Sequence, residues 1–258
     1  MTREENLNYR SRNIIGFDIN STIFRVFSSS DWLIDAIRNQ SLTLVKPNTW
    51  DDPFENVVFR STATMKDGRR VGFSKIERLF YGLCWTLNGA ETDALWRIYS
   101  PRKEGVRVQV NASRLYDSFF NLDNEFAILS YFIGKVDYLS EAKIKEKFEN
   151  PEILSAFVFD STAQGNALTL LVKRTEFAHE NEVRLIYRGN KERDDLRNPF
   201  YRFHIDPNDL FEEALFDPRM PDNRYSCYSD ELKKLGFKNK ISKSSLYSLP
   251  TLNLKLNV

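Results

Sequence analysis

Cysteine and histidine are scarce in this chain: only Cys84, Cys227, His179 and His204 occur in 258 residues. The two cysteines lie far apart and form no Cys-x-x-Cys, so a disulfide scaffold is excluded and a reduced, cytoplasmic protein is expected. Four such ligands without metal spacing point to no zinc site, and no metal cofactor is expected. No apolar run approaches the roughly 18 residues of a spanning helix, so no membrane contact is expected. The polar, acidic start through Thr2, Arg3, Glu4 and Glu5 does not read as a signal peptide. The ten glycines build no Gly-x-Gly-x-x-Gly or Walker pattern, which removes support for ordinary dinucleotide and nucleoside triphosphate folds. Excess charge is missing as well. With 37 Lys and Arg against 36 Asp and Glu, the net charge is +1, far from the basicity of a protein that coats duplex DNA. Contact with nucleic acid must therefore be local. There is no internal repeat and no low-complexity tract.

Aromatic side chains are abundant. They make up 14% of the chain, with 20 Phe and 11 Tyr, a load that belongs to a folded protein with a substantial core. Thr22–Phe27 predicts a first strand, and Ser28 to Asp31 offers the N-cap of a helix through Trp32, Leu33, Ala36 and Ile37. Strands are predicted at 42–45, 80–86, 106–110, 132–138 and 200–205, with a further one at 245–255. Helices are predicted at 91–99, 112–120, 140–149 and 151–173, the last interrupted near Gln164 and Gly165. Two prolines fix the loop from Pro47 to Glu55. Strands and helices mix without a βαβ rhythm, which favours an α+β fold. The domain reading is a polar N-terminal arm (1–21), one α+β catalytic-type domain (22–220) and a C-terminal extension packed on or beside it (221–258).

The densest chemistry lies at Phe177 to Tyr187. Glu180, Glu182 and Arg184 alternate at the entrance to an apolar strand, and residues two apart on a strand share a face. Two carboxylates and a guanidinium on one face suit a site. The structural alternative is a charged pair across neighbouring strands, a contact of about 0.2–1 kcal/mol. His179 stands beside this row, as a proton shuttle or as an ordinary turn histidine. Lys66, Arg69, Arg70, Lys173 and Arg174 are basic residues that form either a phosphate-contacting rim or scattered surface charge.

Four segments together resemble the bacterial domain-of-unknown-function family 2971: Phe24–Ser28; the Trp50-x-Asp52-Pro53-Phe54-Glu55-Asn56 loop; Leu83–Thr86 followed by Leu95–Ser100; and Phe177-x-x-Glu180-x-Glu182-x-Arg184. The resemblance spans roughly residues 22–220. At the level of fold, this arrangement is similar to ADP-ribosyltransferases, including those of anti-phage toxin systems. It implies a split, bent mixed sheet with flanking helices that binds NAD. Arg25, Thr86 and Glu182 would stand in the three signature places of that fold, although Trp85-Thr86 replaces the usual Ser-Thr-Ser. Glu182 is then the catalytic carboxylate, Glu180 orients or deprotonates the acceptor, and Arg25 grips pyrophosphate or ribose. Arg25, Phe27, Thr86, Trp85, Tyr99 and Arg184 are the expected NAD-binding residues, with Trp85 or Tyr99 stacking on nicotinamide.

The expected function is an NAD-dependent ADP-ribosyltransferase, a bacterial toxin or defence effector. Its partners would be a nucleic-acid acceptor, with RNA favoured, or a protein acceptor, and an antitoxin or other inhibitor. On this reading Glu182→Gln abolishes turnover and leaves the fold largely intact. Two alternatives stand beside it. One is a non-catalytic module that binds a nucleotide or a partner. The other is a nuclease holding Mg²⁺ between Asp52, Glu55, Glu180 and Glu182. Trp85, Trp96 and Tyr99 also fit as core residues, and Asp52 fits as the cap of the turn that follows it.

Overall fold

The computed structural model describes residues 2–87 and 89–253. Fourteen strands occur among them: β1 (Ile14–Ile15), β2 (Thr22–Phe27), β3 (Ser41–Val45), β4 (Thr62–Thr64), β5 (Arg70–Gly72), β6 (Phe80–Leu87), β7 (Val106–Asn111), β8 (Tyr131–Lys135), β9 (Asp137–Leu139), β10 (Val172–Arg174), β11 (Glu182–Arg188), β12 (Phe200–His204), β13 (Glu213–Phe216) and β14 (Lys240–Lys243). The fold is α+β, with a mixed sheet and flanking helices. The chain forms two compact units, one of Met1–Phe24, Gln40–Gly89 and Val110–Asp206, the other of Arg25–Asn39, Ala90–Gln109 and Pro207–Val258.

In the first unit β11 is a central strand. It runs antiparallel to β6 on one side and to β8 on the other, and β1 adds to β8 in parallel. The far edge of β6 is split. Ile23 and Phe24 of β2 face Leu87 and Thr86 at one end, while Val45 of β3 faces Gly82 at the other. β12 continues the sheet from β3. Burial explains the apolar runs of β6, β8 and β11: Phe80, Phe132 and Ile186 close a core with Phe59, Phe73 and Leu170. A second cluster stacks Tyr187 on Tyr201, ring centroids 3.7 Å apart, with Tyr81 and Tyr131 beside them.

In the second unit β13 pairs antiparallel with Val106–Gln109 of β7 and parallel with β14. Helices Ser30–Arg38, Asp93–Tyr99 and Asp222–Lys234 accompany these strands. Ser29 and Thr92 cap the first two of these helices with side-chain oxygens, as the N-cap preference predicts.

Several element predictions change. Residues read as a polar arm form a helix, Arg3–Tyr9, closed by a Thr2–Glu5 capping box. Its buried Asn6 donates to the carbonyls of Leu122 and Asn124, which ties the segment down. The strand predicted at 132–138 divides at Val136: its N–H still donates to the Glu182 carbonyl of β11, whereas Asp137 donates to the Leu171 carbonyl and opens β9, which pairs with β10. The helix predicted over 151–173 with an interruption near Gln164 and Gly165 is two helices, Pro151–Val158 and Gln164–Thr169, but its last residues form strand β10. Asp160 causes the break, because its carboxylate accepts the N–H groups of Thr162 and Gly165. Residues 245–253 hold no strand. The strand of this region is β14, after which Ser248 donates to the Ser245 carbonyl in a turn. Residues 254–255 of the predicted strand lie outside the described residues.

Candidate functional site

The site lies within the first unit, where β11 begins. Glu180 is not on the strand. It ends a 3-10 turn, Thr175–Glu180, and Asn181 then reverses the chain with φ +43°. Asn181 is suited to this left-handed position, and its side chain fixes the turn by donating to the Leu87 carbonyl, 2.6 Å away. Strand geometry therefore does not align Glu180 with Glu182 and Arg184, as the alternation predicted. Glu182 and Arg184 do share a face, and Arg184 Nε donates to Glu182 Oε2 at 2.8 Å.

What unites the two glutamates is Lys173, from β10. Its ammonium donates to Glu180 Oε2 at 2.5 Å and to Glu182 Oε1 at 2.7 Å, and it stands 3.1 Å from Glu55 Oε1. Arg184 closes the ring by donating to Glu55 Oε2 at 2.6 Å and to the Leu170 carbonyl at 2.7 Å. Arg184 is fully buried, and Glu182 is only 5% exposed. Its cross-strand partners are small, Cys84 on β6 and Gly134 on β8, and a Cβ at Gly134 would lie 2.3 Å from the Leu171 side chain. The Trp50 ring covers the guanidinium at 4.5 Å. That ring needs Gly82, because a Cβ there would lie 2.4 Å from it. The loop from Trp50 to Asn56 is thus folded over the charges. Asp52 caps its own turn by accepting the Phe54 N–H and also pairs with Arg174, so the capping role foreseen for Asp52 is present.

Three carboxyl groups, those of Glu55, Glu180 and Glu182, face two cations, Lys173 and Arg184. One carboxyl is therefore uncompensated, and the electrostatics select Glu180. Burial disfavours its charged form and the neighbouring Glu182 adds to the effect, so its pKa is pushed up to about 7 despite the Lys173 ammonium. Burial also opposes ionisation of Glu182. The Arg184 guanidinium, the hydrogen bond from Glu180 and the Lys173 ammonium outweigh it and hold Glu182 well below the usual carboxylate range. Lys173 is itself buried, which favours its neutral form, but Glu182, Glu180 and Glu55 keep it charged far above neutrality. Arg184 bonds Glu182 and not Glu180, which is why the two carboxyls move in opposite directions. Near pH 7 the arrangement has a permanently ionised carboxylate beside a carboxyl that can accept or release a proton.

The remaining predicted residues are distributed as follows. Thr86 is the cross-strand partner of Glu182 and lies on the same face. Trp85, one residue earlier, points to the other face and is 2% exposed. It is a core residue and is not open to stack on a ring. Arg184 is enclosed and touches Glu182 rather than any open surface, so its part is to position Glu182. Arg25, Phe27 and Tyr99 belong to the second unit. There Arg25 stands over the Phe27 ring at 5.6 Å, Phe27 is buried, and Tyr99 is half-buried. His179 lies in the 3-10 turn before Glu180. Sequence reasoning treated Lys173 only as a rim base and missed Tyr138, whose hydroxyl accepts the Glu182 N–H at 2.9 Å. The available signal was the surplus of acids in the Glu180–Arg184 row, which required a cation from elsewhere in the chain.

A family model described as a protein of unknown function, DUF2971, matches residues 95–185. The resemblance holds there. The match includes the Leu95–Ser100 segment and the Glu180, Glu182 and Arg184 row, while the strand with Arg25 and the Trp50 loop fall outside it. No curated protein matches the sequence. Solved structures of DarT from Thermus sp. 2.9 align with the chain. The complex with NAD+ has 10% identity and a TM-score of 0.41, covering 89% of this chain and 98% of that one. The complex with ADP-ribosylated ssDNA has 10% identity and a TM-score of 0.41, covering 88% and 96%. The carba-NAD+ complex has 11% identity and a TM-score of 0.39, covering 88% and 97%.

Proposed function

We propose that this protein is an ADP-ribosyltransferase that consumes NAD and modifies a nucleic acid. The observation that carries this reading is the divided pair of carboxyls, Glu182 held ionised and Glu180 poised near neutral pH. Carboxyls whose environments push them apart take different roles in catalysis. Cleavage of the nicotinamide–ribose bond leaves positive charge on the sugar, and a fixed carboxylate stabilises it. Glu182 supplies that charge. The bond from the anomeric carbon to the pyridinium nitrogen breaks, and nicotinamide leaves with the bonding pair. An acceptor oxygen or nitrogen then bonds to the same carbon, and its proton passes to Glu180. Lys173 and Arg184 set the direction of the two carboxylates and their division of charge. Thr86, the cross-strand partner of Glu182, is assigned to the nicotinamide riboside.

The Mg²⁺ nuclease alternative is disfavoured by Lys173, whose ammonium occupies the position between Glu55, Glu180 and Glu182 that a divalent ion would need. Modification of nucleic acid would harm the cell that makes the protein. The proposed setting is therefore a toxin or defence effector restrained by an inhibitory partner. The test is incubation with labelled NAD and separate RNA, single-stranded DNA and protein pools, beside Glu182→Gln. Label on a nucleic acid that needs Glu182 supports the reading. Saturable NAD binding with no loss of NAD in any pool would replace it with a binding module.

A further inference from the structure

A long groove runs along the first unit between the β4–β5 hairpin and the helices Glu141–Glu149 and Pro151–Val158. One part, about 690 Å³, has Phe54, Phe73, Phe148 and Leu154 among its lining residues. A second part, about 410 Å³, shares Ala63, Phe73 and Leu154 and ends at Val158 and Phe159. Its apolar surface is open to solvent. Phe159 is 69% exposed, and Met65, Val71 and Ile153 are also exposed.

Charge is concentrated here. Residues 60–78 hold six basic residues, Arg60, Lys66, Arg69, Arg70, Lys75 and Arg78, against Asp67 and Glu77, and all six are exposed. The opposite wall, 141–159, has three Lys against four Glu. Of these charges Lys66 and Asp67 line the groove from the hairpin side and Glu141, Lys145 and Glu149 from the helix side, so the basic charge is a rim on the hairpin, where Arg69 and Arg70 adjoin Lys66. Aromatic rings along a groove with one basic wall form the usual platform for unpaired bases and their phosphates. A duplex keeps its bases stacked on one another and gains nothing from such rings.

We propose that this groove binds a single-stranded nucleic acid, with bases against Phe54, Phe148 and Phe159 and phosphates along Lys66, Arg69 and Arg70. The inference rests on the nucleic-acid acceptor of the function proposed above and supplies its binding track. Phe54 lines the groove from the same short turn that sends Glu55 to Lys173 and Arg184. A strand in the groove therefore lies against the loop that covers the carboxyl pair.

The test uses the whole protein and fluorescein-labelled oligo-dT and oligo-U of about 12 nucleotides, within the usual range of site sizes, with a duplex of equal length as comparison. Anisotropy is read across a salt series. The expected result is binding of one or both single strands in preference to the duplex. Phe159→Ala should weaken it by about fivefold to a hundredfold, the range for one stacked base. The pair Lys66→Glu and Arg70→Glu should lower the slope of log K against log salt by about 1.4, for two lost phosphate contacts on a single strand. Lys233→Glu with Lys234→Glu, in the second unit, should leave binding unchanged. The proposal is overturned by equal duplex binding, by no binding, or by affinity that ignores the groove variants; the groove is then a face for a protein partner. Nicotinamide release from NAD without acceptor is measured on the same variants. Groove binding without any NAD loss in the wild type would reject the transferase reading alone, and NAD loss without groove dependence would reject the groove alone.

Discussion

Replacing Glu180 by Gln tests the electrostatic reading most directly. Glu180 has a pKa raised from the ordinary 4.5 to about 7, chiefly by burial and secondarily by Glu182. At about 1.4 kcal/mol for each tenfold change, its charged form is disfavoured in the native protein by about 3 kcal/mol. Below pH 4.5 the group is protonated in both folded and unfolded chains and costs nothing. Between 4.5 and about 7 the unfolded chain releases its proton while the native state keeps it, so stability falls as pH rises. Above 7 the full penalty remains. Glu182 has the opposite sign: its stabilisation is complete above 4.5 and is lost only in more acidic solution, so it does not affect this window. Lys173 stays charged throughout, and the nearby Tyr138, pushed upward by burial, stays neutral. Glu180→Gln should therefore exceed the wild type by only about 1 kcal/mol at pH 5 and by about 3 kcal/mol at pH 8, the latter roughly 6–12 °C in Tm for a chain of this size. Urea unfolding at four pH values between 5 and 8 measures the difference. In the NAD assay the wild-type rate should rise through pH 7 as Glu180 ionises, and the variant should be flat and lower by about a hundredfold or more. Parallel stability curves for the two proteins would refute the charge division on which the proposed mechanism depends.

Other substitutions probe the surrounding structure. Glu182→Gln should abolish NAD turnover and also cost about 3–5 kcal/mol, because it leaves buried Arg184 and Lys173 undercompensated; turnover and urea midpoint are read on the same preparation. This revises the expectation that the fold would be largely indifferent to the change. Gly82→Ala should cost about 1–3 kcal/mol by driving a methyl into Trp50, and combining it with Trp50→Leu should be less than additive in thermal melts. Asp52→Ala should lose about 1 kcal/mol from the cap alone, with a larger loss if the Arg174 pair contributes. Burial drives the Cys84 thiol up out of the reactive range, with Glu182 and Glu55 adding to it, whereas Cys227 is exposed. Iodoacetamide should therefore label Cys227 in the native protein and both thiols only in denaturant, as read by peptide mass mapping.

Local pattern was enough to place most elements. Alternation and apolar runs locate β2, β6, β7 and β11, and the helix Ala112–Phe119 stands where one was expected at 112–120. These features depend on neighbours in the chain, so the chain reveals them. The break expected near Gln164 and Gly165 falls a few residues earlier, where the Asp160 carboxylate takes up backbone N–H groups, and the strand β10 after the second helix was not foreseen. The candidate site was legible as a row of charges, but its meaning was not. Glu182 and Arg184 alternate on a strand, and their pairing could be anticipated. Lys173 lay inside the predicted helix, and only the parallel pairing of β10 with β9 brings its ammonium to Glu180 and Glu182. Likewise only the fold sets Trp85 in the core and the Trp50–Glu55 loop over Arg184. Secondary structure follows from short-range sterics and periodicity, which sequence carries directly. Protonation and exposure follow from which charges and how much apolar matter come within a few ångströms in space, and that distance is decided by tertiary structure alone.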